Sequence, residues 1–488
     1  MVPQLFLDLW PTVAAVLTVA LSALTSGHAV LWKRDNRSAV SWVGLIWLVP
    51  IVGAVLYVLL GINRITRKAH ALKLEQGRAP PSALLPPPVG DEPWLDLRDA
   101  HLVTMAKLGG KVTRRPLLAG NRLEILDGGA KTYPAMLEAI RSARTSLTLC
   151  TYIFDRDPVG EQFALALGGA VRRGVEVRVL VDAVGVRYSR RPIHKRLRRE
   201  GVRVALFMPS IAPARLPFLN LRNHRKIMVA DGRVGFTGGM NIRDDFMPLA
   251  SRADVEPAED LHFRVEGPVV RHLQDAFAED WVFTTGEALS GEKWFPTLAP
   301  VVEGEPGVHA RGIIDGPDES FDVLRWVMLG ALASARRSVR VVTPYFLPDT
   351  ALVTGLNVAA LRGVEVDIVL PERGNLPLVQ WASTAQLWQN LERGCRIHLS
   401  RPPFDHTKLM IVDEAWVLLG SANWDPRSLR LNFEFCVEAY DRAFAAQAEG
   451  VFRERLARSR PITREELDAR PFPVKLRDGV ARLFAPYL

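Results

Sequence analysis

The sequence predicts an α/β protein: a duplicated body of two α/β/α halves, preceded by a two-helix transmembrane hairpin. Two observations predict the body. MLEAIRSARTSLTLCTYIF (136–154) matches MLGALASARRSVRVVTPYF (328–346) in phase, and RGVEVRVLVD (173–182) matches RGVEVDIVLP (362–371). Each half then runs in the same order, with helical apolar spacing giving way to short β-branched runs, so sheets covered by helices follow. A period this long suggests duplication with pseudo-two-fold symmetry, not a solenoid. A third observation predicts the hairpin. LWPTVAAVLTVALSALTSGHAVLW (9–32) and SWVGLIWLVPIVGAVLYVLLG (41–61) carry no Asp, Glu, Lys or Arg. Each is long enough to cross a bilayer, with a kink expected at Pro50.

Taken in order, residues 1–65 form the hairpin, with spans at about 9–32 and 41–61. Trp42, Trp47 and Tyr57 are candidates for an interfacial aromatic belt. The N-terminus MVPQLFLD has no Lys or Arg, which argues against a cleaved secretory signal. Lys33, Arg34 and Arg37 lie between the spans, against Arg64, Arg67, Lys68, Lys73 and Arg78 after them. That bias predicts a multi-pass membrane protein with both termini and the body in the cytoplasm. Residues 66–118 read as a linker, stiffened by APPSALLPPPVG (79–90). The first half spans 119–300 and the second 301–488 with a C-terminal tail.

The 488 residues are 48% hydrophobic and 24% charged, which fits a folded chain and excludes extensive disorder. A net charge of +9 fits either anionic partners or simply a basic surface on a cytoplasmic protein. Cys150, Cys395 and Cys436 show no metal or disulfide spacing and read as small core residues in a reducing compartment. RRPIHKRLRREG (190–201) is either a solvated helix face or an attraction for anionic headgroups. FMPSIAPARLPFLNL (207–221) reads as a lipid-facing rim or a core loop. WASTAQLWQNL (381–391) reads as one helix with Trp381 and Trp388 on a core-facing side.

The chemistry sits in a polar skeleton written twice. HRKIMVAD (224–231) leads to GGMN (238–241), and HTKLMIVD (406–413) leads to GSAN (420–423). Positions two apart on a strand share a face, so His224 pairs with Lys226 and His406 with Lys408. Glycines in the return strand permit close approach to a ligand. If the halves pack face to face, two imidazoles, two ammonium groups and the amides of Asn241 and Asn423 converge. Lys and Asn suit phosphodiester oxygens, one His can attack phosphorus, and the other can act as general acid and base. No metal or other cofactor is needed, and no Asp/Glu cluster for one is evident.

This duplicated skeleton resembles the phospholipase D superfamily, whose signature is His-x-Lys-x4-Asp followed by a Gly-Gly/Ser-x-Asn turn. Within it, the chain resembles the bacterial cardiolipin synthases over nearly its whole length, from SWVGLIWLVPIVGAVLYVLLG through GSANWDPRSLRLNFEF to ARLFAPYL. The resemblance implies a duplicated phospholipase D-like body that transfers a phosphatidyl group from one phosphatidylglycerol to another through a phosphohistidine. The partners implied are phosphatidylglycerol, cardiolipin and anionic membrane lipids, with no nucleic acid; the oligomeric state is left open. His224 is expected as nucleophile and His406 as general acid and base, with the reverse kept open. Lys226, Lys408, Asn241 and Asn423 are expected to hold phosphate. Asp231 and Asp413 complete the catalytic motifs and are expected to brace the fold. Each imidazole needs an acid on its other nitrogen. Glu434 in LNFEF suits one half, and Asp260 or Glu259 in AEDLHF suits the other. Asp405, beside His406, is expected either to raise that histidine's pKa or to face away. The rival readings are a hydrolase of the same superfamily, releasing phosphatidic acid or cutting nucleic acid, and a catalytically dead lipid-binding scaffold.

Overall fold

A computed structural model describes residues 4–33, 36–61, 100–189, 191–208, 221–248, 256–301, 307–317 and 322–485. The chain divides into two compact units. One comprises residues 1–71 with 210–220, and the other comprises 72–209 with 221–488.

In the first unit, α1 (Gln4–Trp32) is apolar and uncharged in its middle and long enough to cross a membrane. The second apolar run is not one helix. It divides at Val49 into α2 (Asn36–Leu48) and α3 (Pro50–Leu56), followed by a π turn over Tyr57–Gly61. Pro50 has no N–H to give and restricts the residue before it, so the break falls there. Tyr57 and Trp42 do not stand at a surface as belt residues. They pack with Ala29 and Ile46, and the Tyr57 hydroxyl lies 2.7 Å from His28 Nδ1. Trp47 is exposed. The Pro-rich stretch 79–90, the basic residues after the second run and most of 207–221 lie outside the described residues.

The second unit is organised by one continuous sheet. The first half supplies β1 (Leu118–Asp127), β2 (Ser146–Thr151), β3 (Glu176–Asp182), β4 (Arg203–Phe207), β5 (Arg222–Asn223), β6 (Ile227–Ala230), β7 (Val234–Gly238) and β8 (Leu261–Glu266). The second half supplies β9 (Val308–Asp315), β10 (Ser338–Val342), β11 (Glu365–Pro371), β12 (Arg396–Ser400), β13 (Leu409–Val412), β14 (Trp416–Gly420), β15 (Asn432–Tyr440) and β16 (Ser459–Ile462). Outward from the middle, one side runs β1-β8-β7-β6-β2-β3-β4 and the other β9-β15-β14-β13-β10-β11-β12-β16. β1 and β9 join antiparallel at the middle. β2, β3 and β4 are parallel, as are β10, β11 and β12, so the RGVEV strands β3 and β11 lie buried within each sheet half.

Helices cover both halves. α4 (Ala100–Thr113) falls in the stretch expected as linker, and its Leu102, Met105 and Ala106 join the second half's core. The helices α5 (Gly129–Ser142), α6 (Pro158–Arg172), α7 (Ile193–Arg199) and α8 (Val270–Thr285) belong to the first half. Asp157 caps α6 by accepting from Gly160 N, with Pro158 at the first helical position. α7 carries the basic run: Ile193 and Leu197 face the core, and Arg196 pairs with Glu161 and Glu200. Lys195, Arg198 and Arg199 stay exposed.

The second half has α9 (Val323–Ser334), α10 (Thr350–Leu361), α11 (Pro377–Thr384), α12 (Trp388–Leu391), α13 (Pro426–Arg430), α14 (Arg442–Ala457), α15 (Arg464–Asp468) and α16 (Phe472–Leu483). Trp381 and Trp388 therefore sit on separate helices. Neither is buried: Arg477 stacks over Trp381 at 4.4 Å and Arg464 over Trp388 at 5.5 Å. Trp381 still packs on the cluster of Leu347, Val379, Ala382 and Ala481, whereas Trp388 covers surface beneath its arginine. The three cysteines are buried and unpaired.

Candidate active site

Both motifs fold as short strand, turn and return strand. His224 and Lys226 lie just before β6, which pairs antiparallel with β7 in the register Ile227↔Thr237 to Ala230↔Val234. His406 and Lys408 stand in the same relation to β13 and β14. Asp231 and Asp413 take positive φ at the turns. Their carboxylates point back to the start of a neighbouring strand. Asp231 accepts from the backbone N of Arg144, Thr145 and Ser146 at 2.7–3.0 Å. Asp413 accepts from Arg336, Arg337 and Ser338 at 2.7–2.9 Å, and meets His101 Nε2 of α4 at 2.8 Å. These two acids brace the sheet and do not face the imidazoles.

The acids that hold the imidazoles come from the opposite half. His224 Nδ1 lies 3.0 Å from both carboxylate oxygens of Glu434 on β15. His406 Nδ1 lies 2.7 Å from Asp260 Oδ2, just ahead of β8. Backbone bonds cross in the same way. β5 pairs with β15, and His224 N donates to Phe433 O at 2.9 Å. His406 N donates to Glu259 O at 2.7 Å, and Glu259 N to Phe404 O at 2.9 Å. Glu259 contributes that backbone; its carboxylate pairs with Arg458 and Arg455. Asp405 turns away from His406, accepting from Thr407 N at 2.9 Å and pairing with Arg455 at 3.1 Å. That arginine claims its charge.

Asp260 and Glu434 are fully buried, and His224 and His406 keep only a narrow exposed edge. Lys226 Nζ donates to His224 O at 2.7 Å, and Lys408 Nζ to His406 O. Each lysine thus folds back over its own histidine. Burial pushes Lys226 down to about 7, the Lys408 charge adding to it while Glu434 opposes it. Burial likewise pushes Lys408 down to about 8 against the pull of Asp260 and Glu434. Burial lowers His224 despite Glu434, with Lys226 and Lys408 adding. It lowers His406 further, reinforced by Lys408, Lys226 and His224. The groups of the two halves therefore feel one another's charge. Burial raises Asp260 to about 7, whereas for Glu434 the burial effect is outweighed by His224, Lys226 and the Ser421 hydroxyl, leaving it below the usual carboxylate range.

The two return turns differ at two positions, Gly239/Ser421 and Met240/Ala422, and the acids explain the first of these. Gly238 and Gly420 both have φ near 150°, and a Cβ on either would run into the next strand. At the following position Ser421 donates to Glu434, whereas a Cβ on Gly239 would lie 2.3 Å from Asp260 Oδ1. The asparagines are both nearly buried. Asn241 Oδ1 accepts from Ile153 N at 3.0 Å, and Asn423 Nδ2 donates to Ser428 Oγ at 3.2 Å. Ser428 belongs to α13, capped by Asp425 with Pro426 at its first position.

Sequence reasoning missed several neighbours. Tyr152 stands edge-on to His224 at 5.3 Å between ring centres, and Tyr345 stands edge-on to His406 at 6.2 Å. The aromatic ends of the TYIF and TPYF repeats were the signal for them. Asn432 Nδ2 donates to Glu434 at 3.0 Å, and Tyr133 donates to the carbonyls of Asn241 and Arg243. Buried Arg225 pairs with Asp280 at 2.7 Å and donates to Glu434 O. No local pattern marks these three. Among the described residues no set of three or more His, Cys, Asp or Glu is arranged to hold a metal.

A family profile described as "Cardiolipin synthase, PLD-like domain" matches residues 136–281 and 328–456. Those stretches contain both histidines and both acids. The chain belongs to the cardiolipin synthase family. It is 33% identical to a cardiolipin synthase of Geobacillus kaustophilus (strain HTA426), covering 97% of this chain and 94% of that one. It is 32% identical to cardiolipin synthase A of Pseudomonas fluorescens (strain SBW25), covering 96% of each. A second profile, "Phospholipase_D-nuclease N-terminal", matches residues 14–61. The fold is shared with the crystal structure of a phosphatidylserine synthase from Haemophilus influenzae Rd KW20, at a TM-score of 0.62 and 16% identity, covering 79% of this chain and all of that one. This cardiolipin synthase family member is a phosphatidyltransferase of phospholipid biosynthesis, with a mixed α/β phospholipase D-like fold.

Proposed function

We propose that the two motifs form one active site that makes cardiolipin and glycerol from two molecules of phosphatidylglycerol. The observation that carries this reading is the exchange of acids: each half's imidazole takes its partner from the other half. Among the described residues neither Nε2 is engaged, so both are available to substrate.

In the first step, His224 Nε2 attacks the donor phosphorus. The P–O bond to the head-group glycerol breaks, and His406 Nε2–H gives its proton to the departing oxygen. The phosphatidyl group then rests on His224 as a phosphohistidine, its ring charge balanced by ionised Glu434. In the second step His406 takes a proton from the glycerol hydroxyl of the acceptor. That oxygen attacks phosphorus, the P–N bond breaks, and His224 is restored. Lys226, Lys408, Asn241 and Asn423 hold the non-bridging oxygens. Glu434 suits the nucleophile role for His224, because it stays anionic where Asp260 is readily protonated. An arriving phosphodiester offsets the two lysine charges that depress His406 and so favours its protonated form.

The body reads as two pseudo-symmetric halves, 119–300 and 301–488, a reading supported by the repeated strand order and by the crossed backbone bonds. The hairpin of 1–65 is proposed to span the inner membrane twice with the body in the cytoplasm, supported by α1 and by the charge bias around the spans.

The test is a product assay in phosphatidylglycerol vesicles, with lipids and glycerol followed by mass spectrometry. Cardiolipin and glycerol in equal amounts are expected, absent from His224→Ala and His406→Ala. Phosphatidic acid as the main product would instead mean that water resolves the intermediate. Mapping a rapidly quenched phosphopeptide to residue 224 or 406 assigns the nucleophile.

A further inference from the structure

A surface helix of a folded protein normally turns its apolar stripe inward. The last helix, α16, does the reverse. Phe472, Leu476, Val480 and Leu483 recur at helical spacing and, with Phe484, are between 48% and 76% exposed. The opposite face is narrow: Asp478 and Ala481 are its buried residues. Asp478 is paired with Arg470, just ahead of the helix, at 2.5 Å and with its helix neighbour Arg477 at 2.7 Å, so the buried face carries no free carboxylate.

The flanks of the apolar stripe are basic. Lys475 and Arg482 lie along one edge and Arg477 along the other, all exposed. The only carboxylate within α16 is Asp478, already buried and paired. A cleft of about 440 Å³ beside the helix is bordered by Arg470, Lys475 and Arg482, with Asp468 as the one carboxylate of its lining. The adjoining helix α11 begins with exposed Leu376 and Leu378. An apolar stripe edged by Lys475 and Arg482 on one side, and by Arg477 with its charge shared with Asp478 and Trp381 on the other, suits a helix lying in an anionic lipid surface, with side chains in the acyl boundary and cations at the phosphates. A protein partner offers no comparable reason for cations on both edges.

We propose that α16 is an interfacial helix that docks the catalytic body onto an anionic bilayer. It stands close to the chemistry. Ala481 shares an apolar cluster with Leu347, Val379 and Tyr345, and the Tyr345 ring faces His406. Docking through α16 therefore sets the height of the site against the lipid head groups. The proposal does not depend on which histidine is phosphorylated.

The test uses the full chain in proteoliposomes. The three native cysteines are buried, so an environment-sensitive fluorophore can be placed on Val480→Cys, with Lys195→Cys on α7 as the reference. In phosphatidylglycerol vesicles, the label at 480 is expected to shift to the blue, be quenched several-fold by doxyl lipids and resist iodide. The label at 195 is expected to respond to iodide alone. Replacing phosphatidylglycerol by phosphatidylcholine is expected to weaken the lipid quenching at 480. Iodide quenching at 480 without lipid quenching overturns the proposal. Shielding from both quenchers that grows with protein density also overturns it, assigning the face to a second copy of the chain. None of these readouts needs turnover, so they stand or fall apart from the reaction. As a second line, Leu476→Glu with Val480→Glu is expected to lower turnover on vesicles about 10-fold while leaving turnover in mixed micelles near normal. Equal turnover on both, beside unchanged quenching at 195, would count against docking.

Discussion

A histidine whose Nδ1 is held by a buried carboxylate presents Nε2 in one tautomer, and both His224 and His406 are held this way. Glu434→Gln and Asp260→Asn keep the shape but can donate an N–H to Nδ1, which stabilises the wrong tautomer. Each is expected to lower kcat by about 100-fold or more, with a much smaller effect on KM. Near-normal kcat in either would remove the carboxylates from the mechanism. The lysines give a separate signature. Their pKa values of about 7 and about 8 mean that the free site loses positive charge as pH rises through that window. KM for phosphatidylglycerol is therefore expected to climb from pH 7 to pH 9, since only the charged forms hold phosphate well. A flat KM over that range in vesicles of constant composition would contradict this.

At the scale of elements, the motif aspartates matter through strand placement. Asp413 ties the β13–β14 turn to the first residues of β10 and to α4. Asp413→Ala leaves three backbone N–H groups without their acceptor and is expected to cost about 3 kcal/mol, read as a shift in the denaturation midpoint. Burial alone would raise its pKa, but the backbone N–H groups and His101 outweigh this and hold it below the ordinary value. A depressed folded pKa means stability that is present above the unfolded value, near 4, and lost as pH falls through the folded one. Asp413→Asn should lose that part of the acid sensitivity, and an unchanged acid limb would show that the brace is not ionised. The Gly239 and Ser421 difference is legible at this scale too. Each position is shaped by the acid it faces, and that acid belongs to its own half.

Across the whole molecule, the crossed acids make the site a property of the pair of halves. A chain with His224→Ala still supplies His406 and Asp260, and one with His406→Ala still supplies His224 and Glu434. If both halves of one chain build one site, a mixture of the two inactive chains is expected to stay inactive in shared vesicles. Recovery toward a quarter of wild-type turnover would mean that halves are exchanged between chains. α4 ties the halves further, because it leads into β1 of the first half yet packs in the core of the second.

The sequence by itself determined the repeat, the strands and the two His-x-Lys skeletons from which the reacting groups are proposed. Hydrophobic periodicity and the His-x-Lys spacing are local properties, and β6 with β7 and β13 with β14 follow from them directly. Local pattern also offered Glu434 for one imidazole and Asp260 or Glu259 for the other, without settling which acid serves which. Only the tertiary structure decided that Glu434 serves His224 and Asp260 serves His406, because pairing across the seam depends on how the two halves of the sheet meet. It also decided that Asp405 belongs to Arg455, that Trp381 and Trp388 sit under arginines, and that the apolar stripe of α16 faces outward. Each depends on which neighbour reaches a side chain first, and that neighbour is distant in sequence.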